Sequence, residues 1–140
     1  MYGFNGMVPG PLIRVPQNAT ITVRFHNRID LPSTVHWHGV RLDNRFDGVP
    51  DQTQPAVQPG DSFVYRVRFP DAGIFWYHPH VREAVQQDLG LYANLFVPAP
   101  TEAAPSAARQ PLLLLKHLQV AYEGLVADGP RLPPPPARGW

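Results

Sequence analysis

The sequence contains no cysteine. That absence removes disulfides and every thiolate metal site. It also removes a complete blue-copper electron-transfer centre, which needs a cysteine beside two histidines and usually an axial methionine. Methionine is scarce as well, present only as Met1 and Met7. No apolar run approaches the ~18 residues of a membrane-spanning helix, and Leu112–Leu115 is far too short, so no membrane partner is expected. The formal net charge is +1, which leaves no basic field for nucleic acid. Helix-like patterning is confined to one short stretch, Val81 to Leu89.

What the chain has is turn punctuation and alternation. Asn5-Gly6, Pro9-Gly10-Pro11, Asp30-Leu31-Pro32-Ser33, Pro59-Gly60-Asp61 and Pro70-Asp71-Ala72-Gly73 are turn signals. Between them lie short runs of period two. Leu12 to Val15 reads as a brief strand. In Ala19 to Asn27, Ile21, Val23 and Phe25 face one way and Thr20, Thr22, Arg24 and His26 the other, which is the pattern of a half-buried antiparallel strand. Phe63, Tyr65, Val67 and Phe69 alternate with Val64, Arg66 and Arg68. Thr34 to Val40, Ile74 to His78 and Gly90 to Val97 complete the set. Seven or so short strands with almost no helix predict an all-β, Greek-key β-sandwich or barrel.

The 140 residues suffice for one domain and a tail. Residues 1–98 form the expected domain. Residues 99–110, rich in Ala and Pro, read as a linker, and 111–140 as the start of a second domain or an unstructured tail. Its last part, Pro133–Pro136, has polyproline character.

Two phrases concentrate the chemistry: His36-Trp37-His38-Gly39 and Trp76-Tyr77-His78-Pro79-His80. In a strand, residues i and i+2 point to the same face. Each phrase is therefore a two-pronged imidazole array, with prongs roughly 6.5–7 Å apart along the strand. If the two strands lie side by side, four imidazoles converge. Imidazole suits copper, zinc, iron and nickel, so the array indicates a metal and leaves the element open. Trp37, between its histidines, points the other way and should pack. Pro79 lacks an N–H and should end the ladder, placing the site at a strand end that opens toward loops. His26, on a polar face, reads as solvated, and nothing marks His117 as a ligand. The run Arg41 to Asp61 is a loop long enough to expect function in it. Its Asp47-Gly48 is an ordinary turn pair on its own terms.

The phrases HWHG and WYHPH, with DGVPDQTQPAVQPG between them and LGLYANLFV after them, resemble the first cupredoxin domain of multicopper oxidases of the laccase-like, copper-resistance class. The opening YGFNGMVPGPLIRV resembles that family's first segment, with Phe4 before Asn5 a small departure. The resemblance covers residues 2–98. It implies a cupredoxin barrel and copper as cofactor. It implies an oxidoreductase that takes electrons from phenols or similar small donors and reduces dioxygen to water. By motif position, His36 corresponds to a ligand of the type 2 copper, His38 and His78 to ligands of one type 3 copper, and His80 to a ligand of the other. Asp47 corresponds to an acid that assists proton delivery near the cluster.

The family's remaining ligand motifs, His-x-x-His-x-His and His-Cys-His, are absent. The chain is thus expected to hold half of a trinuclear cluster. Three readings follow. It is a fragment of a longer oxidase or works with a second cupredoxin domain on another chain. It self-associates into a homo-oligomer that builds a multi-histidine copper site. Or it is a non-catalytic copper-binding module. A zinc hydrolase fits poorly, because such sites set three ligands around one ion with a position left open. The family is usually periplasmic or secreted, whereas no leader is read before Tyr2 and the strand that normally precedes the first motif is missing, which suggests a partial reading frame.

Overall fold

The computed structural model describes residues 1–100. In chain order these form β1 (Ile13–Arg14), β2 (Thr20–His26), β3 (His36–His38), a 3-10 turn (Asn44–Phe46), β4 (Ser62–Arg68), β5 (Gly73–His78), α1 (Glu83–Asp88) and β6 (Ala93–Val97). Six strands are thus present among the described residues where about seven were expected. Residues 101–110 of the expected linker, and the stretch 111–140 expected to open a second domain or form a tail, with His117 and the polyproline run in it, lie outside the described residues.

Two sheets face each other. One is the antiparallel pair β2–β4, and the other has the order β1-β6-β5-β3. The alternation read in the sequence decides which side chains lie between them. On β4, Tyr65 and Val67 point inward and are fully buried, with Phe69 just past the strand end buried beside them, while Arg66 and Arg68 face solvent. Against them pack Trp37 of β3, Tyr77 of β5, and Ala93, Leu95 and Val97 of β6. Trp37 is the keystone. Its ring meets Tyr65 at 5.8 Å, Tyr77 at 5.9 Å and Phe69 at 6.4 Å between centroids. Burying one such large side chain stabilises the fold by roughly 1.5–3 kcal/mol. Two hydroxyls are spent inside the core: Tyr65 accepts from the Val35 N–H at 2.9 Å, and Tyr77 donates to the Pro11 carbonyl at 2.6 Å.

β2 carries its partner on one side only. The bonds flanking the pair, Phe69 N–H to Ala19 carbonyl and Asn27 N–H to Asp61 carbonyl, set its parity. Odd-numbered residues of β2 bond to β4, so the backbone groups of Thr20, Thr22, Arg24 and His26 point to the open edge. No backbone partner meets them there among the described residues. Next to this edge lies a cavity of about 670 Å³ whose walls include Phe4, Ile13, Val23, Phe25, Trp37 and Tyr77. The buried indole N–H of Trp37 has no hydrogen-bond partner among the described residues.

β3 is shorter than the alternation suggested. Gly39, at φ +80°, turns the chain out of the sheet directly after His38. β5 ends at His78, where Pro79 can donate no further ladder bond.

Candidate metal centre

β3 and β5 pair antiparallel with His36 opposite His78, Trp37 opposite Tyr77 and His38 opposite Trp76. This register turns Trp37 and Tyr77 to the core and puts His36, His38, Trp76 and His78 on the outer face. The imidazole-bearing face is therefore a by-product of burying Trp37, since a one-residue slip would invert every side chain.

His36, His38 and His78 each offer a ring nitrogen within 4.8 Å of the others. The tightest pair is His38 Nδ1 and His78 Nε2, at 3.3 Å across the strands. Two ligands each about 2.05 Å from a single ion and arranged tetrahedrally are separated by roughly 3.3 Å. His80 lies at the edge of this group. Its ring is 5.0 Å from that of His36 and 6.1 Å from that of His78, centroid to centroid. The four imidazoles thus lie together, with the His80 ring nearest that of His36 and only the nitrogens of His36, His38 and His78 all within 4.8 Å of one another. Trp76 stacks on His78 at 4.1 Å and lies 4.8 Å from His38, walling one side.

Backbone carbonyls fix which nitrogen each ring presents. His36 Nδ1 is 2.8 Å from the carbonyl oxygen of Asp47 and 3.2 Å from its carboxylate Oδ1. A carbonyl can only accept, so Nδ1 carries the proton and Nε2 keeps its lone pair. His78 Nδ1 is 2.9 Å from the Pro79 carbonyl, which leaves Nε2 bare for the same reason. Gln87 Nε2 comes within 3.1 Å of that Nδ1 and donates one of its two amide hydrogens to Glu83 Oε1 at 2.9 Å. These are the outer-shell contacts that orient metal-binding imidazoles. Burial, the largest cause, lowers the pKa of His78 to about 4, with the neighbouring His36 and His38 adding to the effect and the Pro79 carbonyl and Glu83 opposing it. His78 is therefore neutral near pH 7, the form in which imidazole binds a metal.

The loop around Asp47 is held by Gly48, which has φ +74° and sits against β3 so closely that a Cβ there would lie 2.0 Å from the Val35 carbonyl oxygen. That contact delivers Asp47 to His36. On the other side, α1 packs by the fully buried Gln86, whose Oε1 accepts from Ser33 Oγ at 2.7 Å and whose Nε2 donates to the Pro32 carbonyl at 2.8 Å. Thr34 Oγ1 accepts the His80 N–H at 3.1 Å. Thr34, Trp76, Glu83, Gln86 and Gln87 were not singled out from sequence. The three-residue spacing of His80 and Glu83 at the start of a helical stretch was the available signal for one of them. His26 stays at the surface, paired with Ser62 Oγ at 2.6 Å, remote from the cluster in the β2–β4 sheet.

Comparison with known proteins places the fold among copper oxidases. A sequence family described as multicopper oxidase matches residues 1–102. The multicopper oxidase MmcO of Mycobacterium tuberculosis is 44% identical over 102 residues, covering 71% of this chain and 19% of that protein. Copper resistance protein A of Pseudomonas syringae pv. tomato is 38% identical over 95 residues, covering 68% of this chain and 15% of that protein. Among solved structures, Lac15 from a marine microbial metagenome superposes with a TM-score of 0.66 at 51% identity, covering 71% of this chain and 26% of the other. The blue copper oxidase from Nitrosomonas europaea gives 0.65 at 38% identity, covering 71% and 32%. The chain spans less than a fifth of the length of these two sequence relatives.

Proposed function

This chain belongs to the multicopper oxidase family, and from that premise we propose that its cupredoxin-like domain, residues 1–98, supplies half of a copper cluster at which dioxygen is reduced at the expense of phenols or similar small donors. Copper is the family's metal, and the donor set fits it: imidazoles, with no thiolate in the chain. The observation that carries the reading is the 3.3 Å approach of His38 Nδ1 to His78 Nε2, with a nitrogen of His36 within 4.8 Å. Copper bound there would supply the one-electron chemistry and the place where dioxygen is held.

The chain's own residues have separable roles in this reading. His38 and His78 would hold one ion between the strands. His36 serves a second position, the type 2 site, with its tautomer set by the Asp47 carbonyl. His80 serves a third. Asp47 keeps a carboxylate 3.2 Å from His36, and we assign it to holding and delivering protons. Trp76 shields one side of the cluster from water. His38 is exposed, so the face opens there to whatever completes the site. A second cupredoxin domain or further copies of this chain would cover it.

The absence of cysteine favours one competing reading. The chain brings no blue-copper electron entry of its own, which is the situation of a copper-binding module without turnover. Copper content, size in solution and oxygen uptake with a simple phenol separate the two. In the oxidase reading, uptake tracks a copper-loaded assembly and is lost, together with most of the copper, in the His38→Ala, His78→Ala double variant. Copper-loaded protein of every size without uptake would leave the binding module. Unchanged copper content in the double variant would remove both.

A further inference from the structure

The alternation that turns Tyr65 and Val67 into the core turns three arginines out of it. Arg24 of β2 and Arg66 and Arg68 of β4 stand exposed on the outer face of the β2–β4 pair. Thr22 lies opposite Arg66, Thr20 opposite Arg68, and Arg24 opposite Val64. Arg66 and Arg68 thus leave β4 roughly 7 Å apart, and Arg24 stands on the diagonal from Arg66, at roughly 7–8 Å. Neither strand contains an acidic residue. Asp61 precedes β4 at the end where His26 faces Ser62, away from Arg68. Other arginines of the chain are already engaged. Arg41 is paired with Asp71 at 3.0 Å and Arg45 with Asp43 at 2.6 Å, while Arg14 lies over the Phe96 ring. Arg68 reaches only Asn18 Oδ1, at 3.5 Å, and among the described residues no carboxylate is paired with Arg24, Arg66 or Arg68.

We propose that this face binds an acidic polysaccharide, a polyuronate whose carboxylates are taken by Arg24, Arg66 and Arg68. A guanidinium presents a planar fork that matches a carboxylate with two parallel hydrogen bonds. Hydroxyls of Thr20 and Thr22 stand among the arginines and can both donate to and accept from sugar hydroxyls. Other polyanions fit less well. Single-stranded nucleic acid stacks its bases on aromatic rings, and here Phe25, Phe63 and Tyr65 are turned toward the core. An acidic peptide or a lipid surface draws on apolar anchors, and Val64 is the one large apolar side chain exposed on this face. The face also lies on the opposite side of the sandwich from the imidazoles, which stand on the outer face of the other sheet. A bound polysaccharide therefore leaves the copper face open, and the proposal does not depend on what the imidazoles bind.

The test uses the full purified chain with polygalacturonate as the probe, followed by titration calorimetry at low ionic strength and again at physiological salt. The wild type should bind, and more weakly as salt rises. Arg24→Gln, Arg66→Gln and Arg68→Gln should each weaken binding about fivefold or more, and the triple variant should lose it. Two double variants then remove equal charge from different places. Arg66→Gln with Arg68→Gln should bind far more weakly, whereas Arg41→Gln with Arg45→Gln, which strips arginines already paired, should stay within about twofold of the wild type. Circular dichroism and copper content should be unchanged throughout, because the substitutions lie on an exposed face away from the core and the cluster. A wild type that does not bind would overturn the proposal, as would equal losses in the two double variants. Tighter binding to DNA, to a sulfated polysaccharide or to anionic phospholipid vesicles than to polygalacturonate would overturn it in favour of that partner.

Discussion

His36 is held by both functional groups of Asp47, the main-chain carbonyl at 2.8 Å from Nδ1 and the carboxylate at 3.2 Å. The two contacts can be separated by substitution, because only one of them belongs to the side chain. In Asp47→Asn the carbonyl, and with it the tautomer of His36, should persist. Copper content should then stay near the wild-type value, with affinity lowered by at most about tenfold, while proton-dependent oxygen uptake slows by roughly a hundredfold. Metal analysis and an oxygen electrode measure the two effects. Loss of copper in this variant would show that the carboxylate supports the site itself.

Gly48 governs the same corner by sterics. A methyl group at this position meets the Val35 carbonyl at 2.0 Å, on a backbone already at φ +74°. Gly48→Ala must push the loop away from β3 and carry Asp47 off His36. We expect a loss of stability on the order of 3 kcal/mol in chemical denaturation, together with weaker metal binding. A variant with wild-type stability would mean that the loop has another way to dock.

How much of this was legible beforehand depends on which atoms carry it. β2, β4 and β5 were readable because alternation of apolar and polar residues survives in the sequence even when the fold is unknown, and the histidine pairs were readable because they share that period. The carbonyls of Asp47 and Pro79 that orient His36 and His78 were not, since a backbone carbonyl is the same for every residue type. Nor was the place of His80, next to His36 and off the end of the strand. It follows from Pro79 ending β5, after which His80 is placed by Thr34 and α1 and no longer by the sheet. The brevity of β3 was hinted at by Gly39, and the structure assigns it to that residue's positive φ. Gln86, buried and polar in a six-residue helix, gave no sign of its role because its partners Ser33 and Pro32 lie more than fifty residues earlier.

Gln86 leads to a third expectation. Gln86→Leu leaves the Ser33 hydroxyl and the Pro32 carbonyl buried without their partners, at a cost of about 2 kcal/mol. Because α1 then loosens, Glu83 and Gln87 should lose their hold near His78 and His80. Denaturant unfolding reports the first effect. Broadening of the His78 and His80 imidazole resonances in the metal-free protein reports the second.

Acid should destabilise the metal-free protein through His78. Its pKa is lowered to about 4 by burial, against an ordinary value of 6.5. Between those values the unfolded chain holds a proton that the folded chain refuses. The contribution of His78 to stability is thus complete above pH 6.5, falls as pH drops toward 4, and changes no further below that. The loss amounts to on the order of 3 kcal/mol. Urea midpoints at pH 7 and pH 4.5 measure it, and His78→Gln, which does not titrate, should flatten the difference.

The one-sided pairing of β2 has a consequence for how its amides meet solvent. The N–H groups of Ile21, Val23 and Phe25 are tied into β4, whereas those of Thr20, Thr22, Arg24 and His26 point to an edge where no backbone partner stands. In deuterium oxide the strand should therefore exchange as a comb. The four even-numbered amides should take up label early by local exposure, and the three odd ones should wait for the pair of strands to part. A strand or segment that came to lie along this edge would erase the alternation residue by residue, so the exchange pattern of seven consecutive amides records whether β2 is bare or accompanied.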